Sequence, residues 1–346
     1  MALVLLIAAA ILLAGRLLNF SKRVQIMALV VLFALVIFFQ VTLPVGNPVK
    51  EATGTLSSWA ILAGVVALVF GYRALLSRLR HKADAEEPVA LDPDKFTNAE
   101  LNRYARHIVL REIGGPGQKK MKKARVLVVG AGGLGAPALQ YLAAAGIGTI
   151  GIIDDDEVDS SNLQRQVIHT DARIGMPKVF SAQEALQAQN PLITIRAYNR
   201  RLTADMAAEL FEDYDLILDG SDNAQTRYLV NRVSVDLGKP LISGAITQWE
   251  GQLSLFDPAQ GGPCYACVFP NAAAAGLAPS CAEAGVVGAL PGVVGSMMAV
   301  EAIKHITGAG ATLRGQMLIY DALYAETRLI NLKQDPECAV CGQLPK

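Results

Sequence analysis

A chain of 346 residues is long enough for more than one domain of ordinary size. Hydrophobic residues make up 52% of it, with the excess before residue 80, which sets it apart from an ordinary soluble protein. Lys plus Arg and Asp plus Glu balance at 31 each, and a net charge of zero leaves no electrostatic footprint for nucleic acid.

MALVLLIAAAILLAG opens the chain. It lacks the basic start of a signal peptide, which favours a short spanning helix over about 2–18, although the signal reading stays open. No charged side chain occurs from Val24 to Val49, and Ile26 to Leu43 holds 13 Leu, Ile, Val or Phe residues. Their insertion into a bilayer is favourable by roughly 4–8 kcal/mol, so 24–43 is expected to span a membrane. A third apolar stretch, 56–74, carries Trp59 and Tyr72 near its ends, where interfacial anchors sit. Arg16, Lys22 and Arg23 lie between the first two segments, and Arg73, Arg78, Arg80 and Lys82 follow the third. The positive-inside rule then places everything after residue 73 in the cytoplasm, on a bacterial-type inner membrane. Residues 1–80 are thus a membrane region of two or three helices, 81–95 a polar linker, and 96–346 a soluble domain.

In that domain Thr97 and Glu100 make a capping box for the helix through TNAELNRYARHIVLREI. ARVLVVGAGGLG follows, a buried strand at 126–129 running into a glycine turn. Gly130, Gly132 and Gly135 have the spacing that lets a backbone approach phosphates at a helix N-terminus. A second strand ends at Asp154, where an acidic side chain meets ribose hydroxyls. These residues alone fit a nicotinamide site, and they fix a nucleotide fold rather than a reaction. The fold class is therefore α/β, with a Rossmann-like doubly wound sheet.

SSNLQRQ places Asn162 and Arg165 just after the second strand, and GMPK places Lys178 beside Pro177 at an expected first helical position. The strand in DLILDGSDN ends near Asp219 and Asp222. Strand C-termini face the ligand crevice in such a sheet, so Arg165, Lys178 and Asp222 can converge there. Two cations stabilise charge growing on an α-phosphate while a carboxylate holds magnesium, as nucleotidyl transfer requires.

The five cysteines are Cys264, Cys267, Cys281, Cys338 and Cys341. Two Cys-x-x-Cys pairs in a cytoplasmic chain read as a closed tetrahedral zinc site that ties the C-terminal tail to the loop after GQLSLF. With four thiolates in its shell, such a zinc does no chemistry. Cys281 is left over. PGVVGSMMAVEAIKHITG reads as a helix beneath the sheet, and QMLIYDALYAETRLINL as a closing hairpin.

GAGGLG, IIDDDEVDSSNLQRQ, GMPK, LDGSDN, CYAC, CAEAGVVG and CAVC, in this order over about 96–342, resemble the MoeB/ThiF/HesA adenylyltransferases, relatives of ubiquitin-activating enzymes. The molybdopterin-synthase branch is nearest. The resemblance implies a doubly wound sheet of the ubiquitin-activating type and adenylation, with Mg-ATP, of the C-terminal Gly-Gly of a small ubiquitin-like sulfur carrier. It implies nucleotide contacts from Gly130, Gly132, Gly133, Gly135, Asp154, Asn162, Arg165, Lys178, Asp222 and Asn223, with Asp222 on the magnesium. It also implies a homodimer in which Arg106 reaches the neighbouring subunit's ATP, and a Cys281 that can join later acyl or sulfur transfer. Only a few residues follow Gly342, so a separate sulfur donor, a rhodanese or a cysteine desulfurase, is expected. Alternatives are a thiazole-synthesis carrier, a tRNA-modifying cyclodehydratase, a nicotinamide-dependent oxidoreductase, and a non-catalytic zinc-stabilised adaptor.

Overall fold

The computed structural model describes residues 2–17, 20, 22–44, 46–84, 95–272 and 284–343. The chain divides into two compact units, Met1–Ala90 and Leu91–Lys346.

The first unit holds helices α1 (Ala2–Leu17), α2 (Lys22–Thr42), α3 (Pro48–Thr53) and α4 (Leu56–Asp84). Among the described residues, two stretches, Val24–Thr42 and Pro48–Leu76, are long and apolar enough to cross a membrane by length and composition. The apolar part of α1, Leu6–Gly15, is about half the ~20 residues a bilayer needs. Two features bear on the reading of this unit. The helix of the third segment continues to Asp84, into what reads as linker, because LLSRLRHKAD contains neither glycine nor proline to stop it. Trp59 packs within the unit: it lies edge-on against Phe33 at 5.7 Å, beside Val4 and Val36, and its indole donates to Thr53 O at 2.8 Å. Gln40 on α2 fastens the short α3, donating to Lys50 O at 2.9 Å and Gly54 O at 2.7 Å. Lys50 O also accepts from Thr53 Oγ1 at 3.0 Å, so the end of α3 is held from both sides.

The second unit is built on one eight-stranded sheet in the order β3-β2-β1-β4-β5-β6-β7-β8. Its strands are β1 (Arg125–Val129), β2 (Thr149–Asp154), β3 (Thr194–Asn199), β4 (Leu216–Asp219), β5 (Leu241–Ile246), β6 (Glu250–Phe256), β7 (Gln316–Asp321) and β8 (Glu326–Asn331). The first five run parallel and the last three antiparallel, so the sheet is mixed. The helices are α5 (Asn98–Ile108), α6 (Gly114–Lys123), α7 (Gly135–Ala145), α8 (Lys178–Gln189), α9 (Ala204–Glu212), α10 (Ala224–Asp236), the single turn α11 (Tyr265–Val268), and α12 (Ala289–Thr307).

Alternation along β1 explains the layering. Val126 and Val128 face a core shared with α7, α8 and α12, whereas Leu127 and Val129 face a second core shared with α9 and α10. Side chains in a strand point to opposite faces in turn, and a strand buried on both faces must be apolar throughout. Both faces are covered, as in a doubly wound sheet. The capping box forms as expected: Glu100 N donates to Thr97 Oγ1 at 3.2 Å, and Thr97 N to Glu100 Oε2 at 2.8 Å. Pro177 is the residue before α8 rather than its first, with ψ 132 outside the helical range.

From β1 the chain winds outward through β2 and β3, then returns to place β4 on the other side of β1. This reversal opens a crevice at the C-terminal ends of β1, β2 and β4.

Candidate functional site

Gly130 ends β1 with φ +94, the left-handed region that glycine enters without penalty. Its N–H donates to Ile153 O at 2.9 Å, holding the turn beside the end of β2. The turn must then lead directly into α7. A Cβ built on Gly135 would lie 1.9 Å from Gly130 O, so only glycine allows that approach. No side chain caps α7. Ala136 N–H already donates to Gly132 O at 2.9 Å, so an anion at this end would meet the N–H groups of the preceding turn.

Asp154 at the end of β2 grips this turn from the side. Its Oδ2 accepts Ala131 N–H at 2.7 Å, and its Oδ1 accepts Asp156 N–H at 2.9 Å. Burial raises the Asp154 carboxyl above its ordinary value, opposed by the Ala131 bond and by the charge of Lys178. Lys178, the first residue of α8, is itself buried, and its Nζ lies 2.6 Å from Asp156 Oδ2. The carboxylates of Asp154, Asp155 and Asp156 lie within 4.8 Å of one another.

The segment 160–169 folds over the glycine turn. Gln166 Nε2 would stand 3.6 Å from a Cβ on Gly132, and Arg165 Cδ 3.9 Å from one on Gly133. Arg165 donates to Ser161 O at 3.1 Å, and Asn162 Oδ1 accepts from Gln166 Nε2 at 2.7 Å. From the other side the turn after β4 closes in, with Gly220 O 3.2 Å from a Cβ built on Gly130. Asp222 in that turn is exposed and makes no hydrogen bond or ion pair with the described residues. Asn223 caps α10, accepting Thr226 N–H at 2.9 Å.

The three chain segments that carry Arg165, Lys178 and Asp222 therefore border the same glycine turn. Arg106 is an exposed side chain on α5. Cys281 falls outside the described residues.

Sequence reasoning missed His169, Asp156 and Arg227. His169 is buried, with Nε2 3.0 Å from Ala131 O and Nδ1 2.9 Å from Ser181 Oγ. Burial lowers its pKa, and Lys178 and Arg173 lower it further. A single histidine in QVIHT gives no periodic or spacing signal that could have pointed to it.

The two cysteine pairs meet. Cys264 Sγ lies 3.8 Å from Cys267 Sγ and 3.7 Å from Cys338 Sγ, while Cys267 and Cys341 are 3.3 Å apart. All four sulfurs fall within 4.8 Å of one another. A tetrahedron with Zn–S bonds of ~2.3 Å has edges of about 3.8 Å, so the residues fit a Cys₄ zinc. Burial holds the Cys264 thiol well above its usual range and pushes Cys267 up to about 11. At Cys338 burial is outweighed by the N–H groups of Cys341 and Val340, and the thiol is lowered. A cation among the sulfurs would favour thiolates at all of them. Asn231 on α10 donates to Cys264 Sγ at 3.7 Å, and Gln334 to Cys341 Sγ at 3.8 Å, as outer-shell donors do.

A separate apolar groove of about 680 Å³, lined by Leu253, Val293, Met297, Val300, Leu313 and Leu318, holds none of these nucleotide-site side chains.

Residues 104–340 match the model of the ThiF family. The sulfur carrier protein adenylyltransferase of Thermus thermophilus is 51% identical over 255 residues, covering 72% of this chain and 94% of that protein. The probable adenylyltransferase/sulfurtransferase MoeZ of Mycobacterium tuberculosis is 51% identical over 252 residues, covering 72% of this chain and 64% of that protein. The chain thus spans under two thirds of the length of MoeZ. The crystal structure of E. coli MccB superposes with a TM-score of 0.62 at 22% identity, covering 73% of this chain and 75% of that one. At that identity the likeness is one of fold.

Proposed function

Because the chain belongs to the ThiF family, we propose that it is an ATP-dependent adenylyltransferase acting on the C-terminal glycine of a small ubiquitin-like sulfur carrier. The observation that carries this reading is the meeting of the glycine turn, Asp154, Lys178 and the Arg165 segment at the C-terminal ends of β1 and β2. The names of the relatives support the substrate class. Within it, the molybdopterin-synthase small-subunit type is favoured over a thiazole-synthesis carrier.

The carrier's terminal carboxylate attacks the α-phosphorus of ATP, forming an acyl-adenylate and releasing pyrophosphate. Asp154 holds the ribose, and the turn from Gly130 to Gly135 cradles the phosphates on the N-terminus of α7. Asn162, Arg165 and Lys178 contact the phosphates and offset the negative charge that grows there. Asp222, with its free carboxylate, holds magnesium beside Asn223. A magnesium held there would neutralise charge on the leaving pyrophosphate. The Cys₄ cluster holds structural zinc and secures the tail.

In this reading Arg106 enters the neighbouring subunit of a homodimer, and a separate rhodanese or cysteine desulfurase supplies sulfur. The two long apolar helices tether the enzyme to a membrane, with the catalytic unit on the cytoplasmic side as the basic flanks dictate.

The test is carrier-dependent exchange of labelled pyrophosphate into ATP. Asp222→Ala should abolish it, and Cys281→Ala should leave it intact. Binding of a nicotinamide nucleotide with no exchange would favour the oxidoreductase instead. Exchange driven by a tRNA rather than a carrier would favour the cyclodehydratase.

A further inference from the structure

We infer that Arg227, with its partner Asp219, is a positioning residue that sets the place of the Asp222 carboxylate. The inference rests on the proposed role of Asp222 as the magnesium ligand. Asp222 has no contact of its own to fix it, so its position must come from the backbone of the turn that carries it.

That turn is held from within by a buried ion pair. Asp219, the last residue of β4, accepts Ser221 N–H at 2.9 Å and Ser221 Oγ–H at 2.6 Å through one carboxylate oxygen. Its other oxygen faces Arg227 Nη1 at 3.4 Å and Ser243 Oγ at 3.4 Å. Arg227 then reaches back across the turn. Nη2 donates to Ser221 O and, at 2.9 Å, to Gly244 O, while Nη1 donates to Ser243 Oγ at 3.1 Å. Both charged groups are buried. The guanidinium therefore holds the carbonyl of the residue just before Asp222 and locks it to β5. On the outer side Gly220 N–H donates to Val129 O at 3.0 Å, tying the same turn to the end of β1.

The fork of Arg227 matters more than its charge. Four acceptors in different directions are met by a planar guanidinium and cannot be met by a compact ammonium. Arg227 also lies one helical turn after Asn223, so the residue that caps α10 and the residue that holds the turn share one face of the helix. Arg227 touches neither nucleotide nor magnesium in this reading. It acts only through the backbone.

The test measures ATP binding to the purified full chain by calorimetry over a range of magnesium concentrations, with no carrier present. Zinc content and thermal unfolding are recorded on each variant. Arg227→Lys should raise the magnesium concentration for half-maximal binding by about tenfold, because a shift of ~1 Å in a ligating group costs heavily in a preorganised site. Ser243→Ala, which removes one acceptor without stranding a charge, should raise it by about threefold. It decides the question alone if Arg227→Lys does not fold. Unchanged magnesium dependence in the folded variants overturns the positioning role, even where overall binding falls. Asp222→Ala separates the two readings. If it keeps the wild-type magnesium dependence, the ligand assignment and the positioning role both fail. If it loses that dependence while the Arg227 and Ser243 variants keep theirs, only the positioning role fails.

Discussion

Lys178 Nζ stands 2.6 Å from Asp156 Oδ2, with the lysine side chain 6% exposed and the aspartate 66% exposed. The buried cation is thus held at the first residue of α8 by a carboxylate that water reaches freely. An incoming phosphate can take the place of that solvent-reached carboxylate and keep the buried ammonium paired.

Lys178→Met should therefore lower carrier-dependent pyrophosphate exchange by about 10²–10³-fold, the scale seen when one transition-state donor is removed. Asp156→Asn should cost less than about tenfold, as expected of a holding partner rather than a phosphate contact. Exchange rates at saturating ATP check both. Equal losses in the two variants would mean that Asp156 acts directly on the nucleotide.

The glycine turn separates folding from binding. Gly135→Ala places a Cβ 1.9 Å from Gly130 O and should destabilise the second unit by more than about 4 kcal/mol. Gly132→Ala meets only Gln166 Nε2 at 3.6 Å, an ordinary contact. It should fold within about 1 kcal/mol of wild type yet bind ATP more weakly, because the phosphates approach that backbone closely. Denaturant unfolding and ATP titration measure the two effects.

One zinc per chain is expected, released on titrating the thiols with an organomercurial and read with a colorimetric chelator. Cys338→Ser should abolish it and lower the melting temperature on the order of 10 °C, each kcal/mol being worth about 2–4 °C in a domain of this size. A full zinc complement in that variant would place the metal elsewhere.

Acid should weaken the fold in a defined window. His169 and His305 are both lowered from 6.5 by burial. Below pH 6.5 the unfolded chain therefore binds more protons than the folded one. The stability contributed by each neutral histidine is present above 6.5 and is lost as pH falls from there through the folded pKa. The slope is up to about 1.4 kcal/mol per pH unit for each residue. Asp154, raised by burial, works in the opposite sense, so wild type must be compared with His169→Gln. Denaturant midpoints from pH 7.5 down to about 5.5 should fall less steeply in the variant.

The residues that repeat with a period or a fixed spacing were legible. Val126 to Val129, the glycines at 130, 132 and 135, and the two Cys-x-x-Cys pairs announce a buried strand, a tight glycine turn and a cluster of four thiols because each demands that local arrangement. Asp156 and Arg227 were not legible. Their partners, Lys178 and the Asp219–Ser243 pair, come from other elements, and a lone charge in a sequence looks the same whether it faces water or a buried acid. Trp59 carries the same ambiguity, since an aromatic near the end of an apolar run fits a membrane interface as well as a packed helix seam.

The sequence by itself determined the glycine turn, the two Cys-x-x-Cys pairs and the strands next to them, since these depend on backbone freedom, ligand chemistry and alternation along a single segment. Only the tertiary structure decided which loops border that turn, how Lys178 is held, and what lies behind Asp222. Those depend on the reversal that sets β4 beside β1, which brings Gly220 against Gly130 across 90 residues of chain. No local preference encodes a contact at that separation. It arises when both faces of one sheet are buried at once.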